Sequence, residues 1–503
     1  MWARIFSLPL IIVLLGIVAV TMLAPAIYAA AGRDWDTARA FLYSSLMFLV
    51  LFAMLGVATA NYPPPNRTKS QLLALLGAYL LLPAVMAVPF VEAQRDTTFV
   101  NAYFEMVSCL TTTGATLYED PDRLSGAVHM WRAMVGWMGG FLVLVSAVAI
   151  MAPLNLGGYE VLSIRERTGK TGAIQGLPDP AMRMRRYAVR LFPVFAMLTL
   201  ALWVALLVTG EPPLVAILHA MSTLSTSGIT AGAGMATQTG SFMAELCIFV
   251  FLLFALSRRT FEREGQTRRA YALLHDPELR MAASLALALP MLLFLRHWFG
   301  AIEVEAGQAV TQAVTALWGG LFTVMSFLTT TGFESIYWAD AQSWSGLETP
   351  GIVLVGLALV GGGVATTAGG IKLLRVYALF LHGRRELDRL VHPNSIGGAG
   401  QMARHLRSRG AQIAWIFFML FAISVAAVML ALSLTGLDFE RSVVMALMAL
   451  SNTGPLATMA LEDPVSLTAL GNGAKAILVA TMILGRLEAL VIIALFNPEF
   501  WRA

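Results

Sequence analysis

Charge is scarce in this 503-residue chain: 13% of residues are Asp, Glu, Lys or Arg, about half the share of a soluble protein. Metal-ligating residues are scarcer still. Seven histidines are scattered along the chain, with no ligand spacing of the His-Glu-x-x-His kind. The only two cysteines, Cys109 and Cys247, stand in apolar runs, so no disulfide framework is expected. A membrane-embedded enzyme would need clustered acids, histidines or a metal site at membrane depth. The apolar runs offer chiefly Arg486 and Glu488, with Glu105 and His219 in short helices. Both of the latter are read as satisfied structural groups, and the chain is expected not to be an enzyme. No GxGxxG sits in a βαβ setting, so nucleotide control, if any, must come from a partner. What is abundant is apolar: 58% of residues are hydrophobic and the mean hydropathy is +0.72. This is the composition of an integral membrane protein.

Four short polar stretches interrupt the apolar background. They read Leu110-Thr111-Thr112-Thr113-Gly114, Leu224-Ser225-Thr226-Ser227-Gly228, Leu328-Thr329-Thr330-Thr331-Gly332 and Leu450-Ser451-Asn452-Thr453-Gly454. Three copies also carry serine six residues before the glycine, at Ser108, Ser222 and Ser326, where the fourth has Met448. The glycines lie 114, 104 and 122 residues apart, which marks an internal repeat. Any one copy can be a helix end with a hydroxyl cap and a glycine stop. Four aligned copies favour another reading. Glycine tolerates φ > 0, and four such turns around one axis can present carbonyl oxygens that replace the water around a cation.

Each motif sits in the same plan of spanning helix, short helix, motif, polar loop and second spanning helix. The short helices are expected at 100–110, 213–224, 311–328 and 440–450. The second spans are expected at 128–153, 241–257, 347–381 and 473–496. A membrane span needs about 20 residues, so the short helices are read as re-entrant. Non-helical backbone at that depth must line a water-filled path or be buried in protein. Two further helices, at 5–31 and 41–60, precede the repeats. Ala29–Ala31 has the look of a signal-peptide cleavage site, but Pro25 and the length of the run favour a retained helix. The units run 1–67 for the N-terminal pair, then 68–180, 181–275, 276–400 and 401–503 for the four repeats.

Charge is sorted along this plan. Most of the 34 Lys and Arg fall in the linkers between repeats, including Arg165, Arg183, Arg186, Arg259, Arg269, Arg385 and Arg407. By the positive-inside rule those linkers and the N-terminus are cytoplasmic, and the short helices enter from outside. Acids follow the motifs, at Glu119, Asp120, Asp122, Glu334, Asp340, Glu462 and Asp463. They form either a weakly negative outer mouth or merely solvated loops.

Two more stretches stand out. Gly361-Gly362-Gly363-Val364-Ala365-Thr366-Thr367-Ala368-Gly369-Gly370-Ile371-Lys372 interrupts the second span of the third unit. Five helix-interior glycines cost about 1 kcal/mol each against alanine, so the stretch is expected to unwind. Lying just below the third motif it would block the path; the alternative is a glycine-rich packing seam. Arg486 lies inside the last apolar run, where a charge faces a cavity or a partner. It is expected to donate to the carbonyls of the unwound stretch. Glu488, two residues on, lies on another helix face, so groups on other helices are the better candidates to pair with Arg486.

On these residues the chain resembles the membrane subunits of the Trk/Ktr/HKT superfamily of potassium transporters, and most of all its bacterial TrkH branch. The resemblance spans essentially the whole chain. It also rests on Trp137-Met138-Gly139-Gly140, on Ala368–Lys372, and on Gly485-Arg486-Leu487-Glu488 through Phe496-Asn497-Pro498-Glu499-Phe500-Trp501-Arg502. The two N-terminal helices favour the TrkH type. The resemblance implies an all-α membrane protein with four non-identical helix–pore-helix–filter–helix repeats in pseudo-fourfold arrangement, plus the N-terminal pair. It implies a potassium filter of Thr112, Thr113, Gly114, Thr226, Ser227, Gly228, Thr330, Thr331, Gly332, Asn452, Thr453 and Gly454. The gate would be Gly361, Gly362, Gly363, Thr366, Thr367, Gly369, Gly370 and Arg486. Gly114 in the first motif goes with potassium selectivity in that family. A homodimer in the lipid of the bacterial inner membrane and a cytosolic nucleotide-binding regulatory subunit are implied as well, with no nucleic-acid partner and no covalent cofactor. A less selective Na⁺/K⁺ pathway or an ion-coupled symporter stands as the alternative.

Overall fold

In the computed structural model of the protein, residues 8–59, 67–151, 180–232, 241–257, 276–300, 306–346, 351–392, 410–461 and 465–488 are described. Within them every regular element is a helix, as apolar segments must be when lipid offers the backbone no hydrogen bond. Among the described residues, seven helices are long and apolar enough to cross a membrane.

The N-terminal span is α1 (Leu10–Thr21) and α2 (Leu23–Ala31), continuous but for one residue at Met22. It returns through α3 (Trp35–Thr59), and Ser45 Oγ donates to the Ala19 carbonyl at 2.7 Å to join the two passes. The first repeat is α4 (Arg67–Ala93), α5 (Phe99–Leu110) and α6 (Gly126–Ser146), the last running on into one π-helical turn, Ala147–Met151. The second is α7 (Pro180–Val208), α8 (Pro213–Ser225) and α9 (Phe242–Leu252). The third is α10 (Pro277–Gly300), α11 (Ala306–Leu328), α12 (Trp338–Ser345), α13 (Gly351–Val360) and α14 (Leu373–Val391). The fourth is α15 (Ala411–Ser433), α16 (Phe439–Ser451), α17 (Leu456–Met459) and α18 (Asn472–Leu487).

The short helices start on local signals. Thr98 Oγ1 accepts from the Asn101 amide to cap α5, and Pro213 opens α8 at the position where a missing N–H costs nothing. With 12 and 13 residues, α5 and α8 reach about 18–20 Å, short of the ~30 Å hydrocarbon thickness. Helix α11 is longer than expected, 23 residues from Ala306 to Leu328. The packing of the short helices closes a ring. Helix α6 packs on α8, α9 on α11, α13 on α16, and α18 on α5. Each closing helix thus leans on the short helix of the next repeat, and the last leans on the first. Helix α6 is innermost: 72% of its apolar stretch is buried, against 22%, 22% and 17% for the opening helices α7, α10 and α15. The opening helix of the first repeat is half buried because α1 and α3 cover it.

The closing helices of repeats two to four have 11, 10 and 16 described residues. Helix α9 tightens into a 3-10 turn at Leu253–Ala255, and α13 stops where Gly361 adopts φ +71°. Helix α18 ends at Leu487, so Arg486 stands in its last turn rather than deep in a helix; residues 489–496 of that expected span lie outside the described residues. Finally, the polar loop expected at 334–346 contains α12, held by Trp344, whose ring stacks on Phe294 and whose Nε1 donates to the Phe294 carbonyl.

Candidate functional site

Each short helix ends in the same way. The residue two before the glycine is left-handed: Thr112 φ +54°, Thr226 φ +50°, Thr330 φ +56° and Asn452 φ +54°. Asparagine tolerates that region, but a β-branched threonine there is strained. The next amide then reaches back to the carbonyl six before the glycine: Thr113 to Ser108 at 2.8 Å, Ser227 to Ser222 at 3.0 Å, Thr331 to Ser326 at 2.9 Å, Thr453 to Met448 at 3.0 Å. This is the six-to-one bond of a Schellman helix end. The hydroxyl pattern now has a reason. The two hydroxyls flanking the left-handed residue hydrogen-bond to each other in all four copies: Thr111–Thr113 2.8 Å, Ser225–Ser227 3.0 Å, Thr329–Thr331 3.0 Å, Ser451–Thr453 3.2 Å. The helix end anticipated for a single copy is therefore present, and it is the scaffold of the turn rather than an alternative to it.

The four turns meet in chain order. A Cβ on Gly114 would overlap the Ser227 carbonyl, one on Gly228 the Thr331 carbonyl, and one on Gly332 the Pro455 ring. One on Gly454 would overlap the Ala115 amide, which returns the ring to the first turn. All twelve expected filter residues lie in this ring. The fourth turn departs from the others. Gly114, Gly228 and Gly332 have φ of +73°, +64° and +80°, whereas Gly454 is not left-handed. Pro455 follows it and restricts its backbone, and its amide donates to the Thr113 carbonyl at 2.6 Å. Asn452 Nδ2 adds bonds to Thr113 Oγ1 and to the Met482 carbonyl.

The glycine-rich stretch is an unwound loop, as expected, set directly against these turns. Its legs are paired: Ile371, Lys372 and Leu373 amides donate to the Leu359, Val360 and Gly362 carbonyls. Its tip is held by distant groups. The Gly363 amide donates to Ala255 O at 3.1 Å, Val364 N to Glu278 Oε1 at 2.9 Å, and Thr367 Oγ1 to Leu224 O at 3.2 Å. The Gly369 amide donates to Thr330 Oγ1, inside the third turn, at 2.7 Å. Gly369 lies so close to the Ser451 carbonyl that no Cβ fits. Glycine packing and unwinding therefore occur together. Arg486 Nη2 donates to the Thr367 carbonyl at 2.6 Å, the bond the sequence led us to expect. Glu488 pairs with Arg375 at 2.6 Å, and the Arg375 guanidinium lies 3.6 Å from the Phe417 ring centre. Lys372 Nζ bonds the Ala368 carbonyl. A narrow cavity of about 20 Å³ lies between this loop, Val143 and Ala147 of α6 and its π turn, and Arg486.

The sequence missed the loop's anchors Glu278 and Thr330, because nothing in a linear pattern brings residues so far apart together. Glu105 is satisfied as anticipated, with Arg132 and the Leu117 amide. His219 is not: it is fully buried and neither ring nitrogen has a hydrogen-bond partner. Of the acids after the motifs, Glu119, Asp120, Asp122 and Asp340 are exposed. Half-buried Glu334 has its carboxyl pushed up by burial, and Glu462 and Asp463 lie outside the described residues. So do Arg165, Arg259, Arg269 and Arg407 of the basic linkers.

Comparison with known proteins adds a family. The TrkH model, described as a cation transport protein, matches residues 41–502. The Trk system potassium uptake protein TrkH of Salmonella typhimurium is 32% identical over 494 residues, covering 96% of each chain. That of Escherichia coli K12 is 30% identical over 488 residues, again 96% of each. The crystal structure of the potassium transporter TrkH from Vibrio parahaemolyticus superposes with a TM-score of 0.82 at 28% identity, covering 100% of both chains.

Proposed function

We propose that this chain, which belongs to the TrkH family of cation transport proteins, takes up potassium ions across the bacterial inner membrane through the ring of four turns, with the loop 361–372 as its gate. The observation that carries this reading is the closed ring itself: four left-handed helix ends from one chain, meeting in order. Carbonyls at such turns can replace an ion's hydration shell. The filter residues are then Thr112–Gly114, Thr226–Gly228, Thr330–Gly332 and Asn452–Gly454. The short helices aim their C-terminal ends, the negative ends of their dipoles, at the turns.

The loop residues Gly361–Gly363, Thr366, Thr367, Gly369 and Gly370 form the barrier, and Arg486 latches it. Buried Lys372, Arg375 and Arg486 stand around the loop together with buried Asp276, Glu278 and Glu488. The repeats divide at 68–180, 181–275, 276–400 and 401–503, with 1–67 as the added pair. The N-terminus and basic linkers face the cytoplasm, in keeping with the positive-inside rule.

The relatives are named as components of a Trk system, which supports a membrane subunit working with other subunits. We place here a homodimer and a cytosolic nucleotide-binding partner. A less selective Na⁺/K⁺ pathway is the second reading, and one observation favours it: the Gly454 amide occupies the Thr113 carbonyl, one of the oxygens an ion would use.

Flux into liposomes holding the purified chain separates the two. Selective potassium uptake predicts K⁺ influx that a tenfold excess of Na⁺ barely lowers, and a loss of that discrimination in Gly114→Ser, whose side chain would strike the Ser227 carbonyl. Equal competition by Na⁺ in the wild-type chain decides for the second reading. Unchanged discrimination in Gly114→Ser removes the first turn from the filter.

A further inference from the structure

We propose that two buried carboxylates, Glu105 and Glu245, are positioning residues for ion selectivity, bracing the first and third turns, where among the described residues the second and fourth have no such carboxylate. The inference rests on the reading of the ring as a potassium filter. It starts from the repeat. Nine residues before each motif glycine stand Glu105, His219, Thr323 and Met445. Three residues after it stand Leu117, Ala231, Ser335 and Ala457, at the start of the segment that leaves the turn.

In the first repeat Glu105 joins the two positions: its Oε2 accepts from the Leu117 amide at 3.0 Å while Oε1 accepts from Arg132 Nε at 2.7 Å. In the third, Thr323 Oγ1 accepts from the Ser335 amide at 3.3 Å, and a carboxylate arrives from the neighbouring repeat. Glu245, in α9, is fully buried and accepts its hydrogen bonds from repeat three. Its Oε1 accepts from the Ile336 amide at 2.6 Å, and its Oε2 from Trp318 Nε1 at 2.7 Å and Ser335 Oγ at 3.0 Å. The second repeat has His219 at this place, with neither ring nitrogen bonded. The fourth has Met445, and its Ala457 amide bonds only within its own turn, to Gly454 O.

The braced turns are the first and third, which stand across the ring from each other. Hydrogen bonds to a charged acceptor are about twice as strong as neutral ones, and a buried network with every member paired is rigid. Two opposite walls of the ring are therefore stiff. A smaller ion demands that the carbonyls close in, and walls that cannot move hold the ring at one ion size, the part of the selectivity argument that concerns cavity size.

The test reads ion binding rather than flux, so a shut gate does not hide the result. The purified full chain is melted in detergent over K⁺ and Na⁺ titrations, because an ion bound only by the folded state raises the melting temperature once its concentration exceeds its dissociation constant, with the logarithm of their ratio. Glu245→Gln cannot accept on both sides of its amide, and is expected to shrink the ratio of Na⁺ to K⁺ half-saturation concentrations by about tenfold. Ser335→Ala, which removes one of three donors, should shrink it about twofold to threefold, and it decides the matter if the glutamine variant does not fold. His219→Leu, at the matching place in the second repeat, should move the ratio by less than about twofold. A wild-type chain that K⁺ and Na⁺ stabilise alike overturns the potassium-filter reading and this inference with it. A wild-type chain that discriminates, with Glu245→Gln or Ser335→Ala discriminating equally well, overturns the inference alone.

Discussion

Two regions of this molecule face the same problem and solve it differently. The four turns of the ring and the loop 361–372 both carry non-helical backbone where lipid and close packing exclude water, and every buried N–H and C=O there needs a partner. The first three turns find these partners within about six residues: a six-to-one backbone bond, a hydroxyl returned to its own helix, and a hydroxyl pair across the left-handed residue. The loop pairs its legs with each other but takes the partners for its tip from elsewhere: Ala255 and Leu224 from repeat two, Glu278 and Thr330 from other parts of repeat three, Arg486 from repeat four. A locally satisfied segment stays folded when its neighbours move. A remotely satisfied one is released when they move. In the proposed gate the turns are then the fixed part and the loop the movable part. The π turn Ala147–Met151, which borders the loop cavity, adds a less regular helix beside the movable part, a feature common at functional sites.

If that division holds, the largest effect comes from cutting the strongest remote bond. Arg486→Ala removes a charged donor from the Thr367 carbonyl, a bond of about 1.5–3 kcal/mol. That shifts the closed-to-open balance by about tenfold to a hundredfold. Potassium leak from liposomes should rise accordingly, and a folded variant that leaks no more than wild type removes the latch. A smaller effect comes from Thr330, where the two regions touch. Thr330→Val leaves the Gly369 amide buried without an acceptor, at about 1–2 kcal/mol, and leak should rise about fivefold to thirtyfold. Thr330→Ser keeps the hydroxyl and should leak like wild type. Equal leak from the two variants would show that the loop does not depend on this hydroxyl.

The same division explains what was legible in the sequence. The turns were readable because their partners are near neighbours, so the requirement for hydroxyls one and three before each glycine is written as a repeat. The loop's existence was readable from Gly361–Gly363 and Gly369–Gly370, and its bond to Arg486 from the cost of an unpaired charge at membrane depth. Its other anchors were not. Glu278 stands in the first turn of α10 and looks like an ordinary helix-start acid; only the fold brings it to the Val364 amide. Glu245 similarly reads as an acid near the start of α9. The fourth turn's departure was half written: Pro455 after Gly454 signals a different backbone, but the bond to Thr113 depends on ring closure. Helix α12 was hidden because a polar segment after a filter reads as loop, and its docking depends on Phe294, 50 residues away from Trp344.

The smallest effect tests whether local satisfaction is graded within the ring. Thr111 makes short bonds, 2.8 Å to the Val107 carbonyl and 2.8 Å to Thr113 Oγ1. Ser451, its counterpart in the fourth turn, makes longer ones, 3.5 Å to the Met448 carbonyl and 3.2 Å to Thr453 Oγ1. Hydrogen bonds weaken as they lengthen past their usual range. Thr111→Val should therefore lower stability by about 1 kcal/mol, and Ser451→Ala by less than half of that, read from denaturation midpoints in detergent. The fourth turn is held instead by contacts outside itself, through Asn452 to Met482 and through the Gly454 amide to Thr113. In that respect it stands between the other three turns and the loop. If Ser451→Ala costs as much as Thr111→Val, the fourth turn is as locally braced as the first, and its unusual glycine backbone is only the consequence of Pro455.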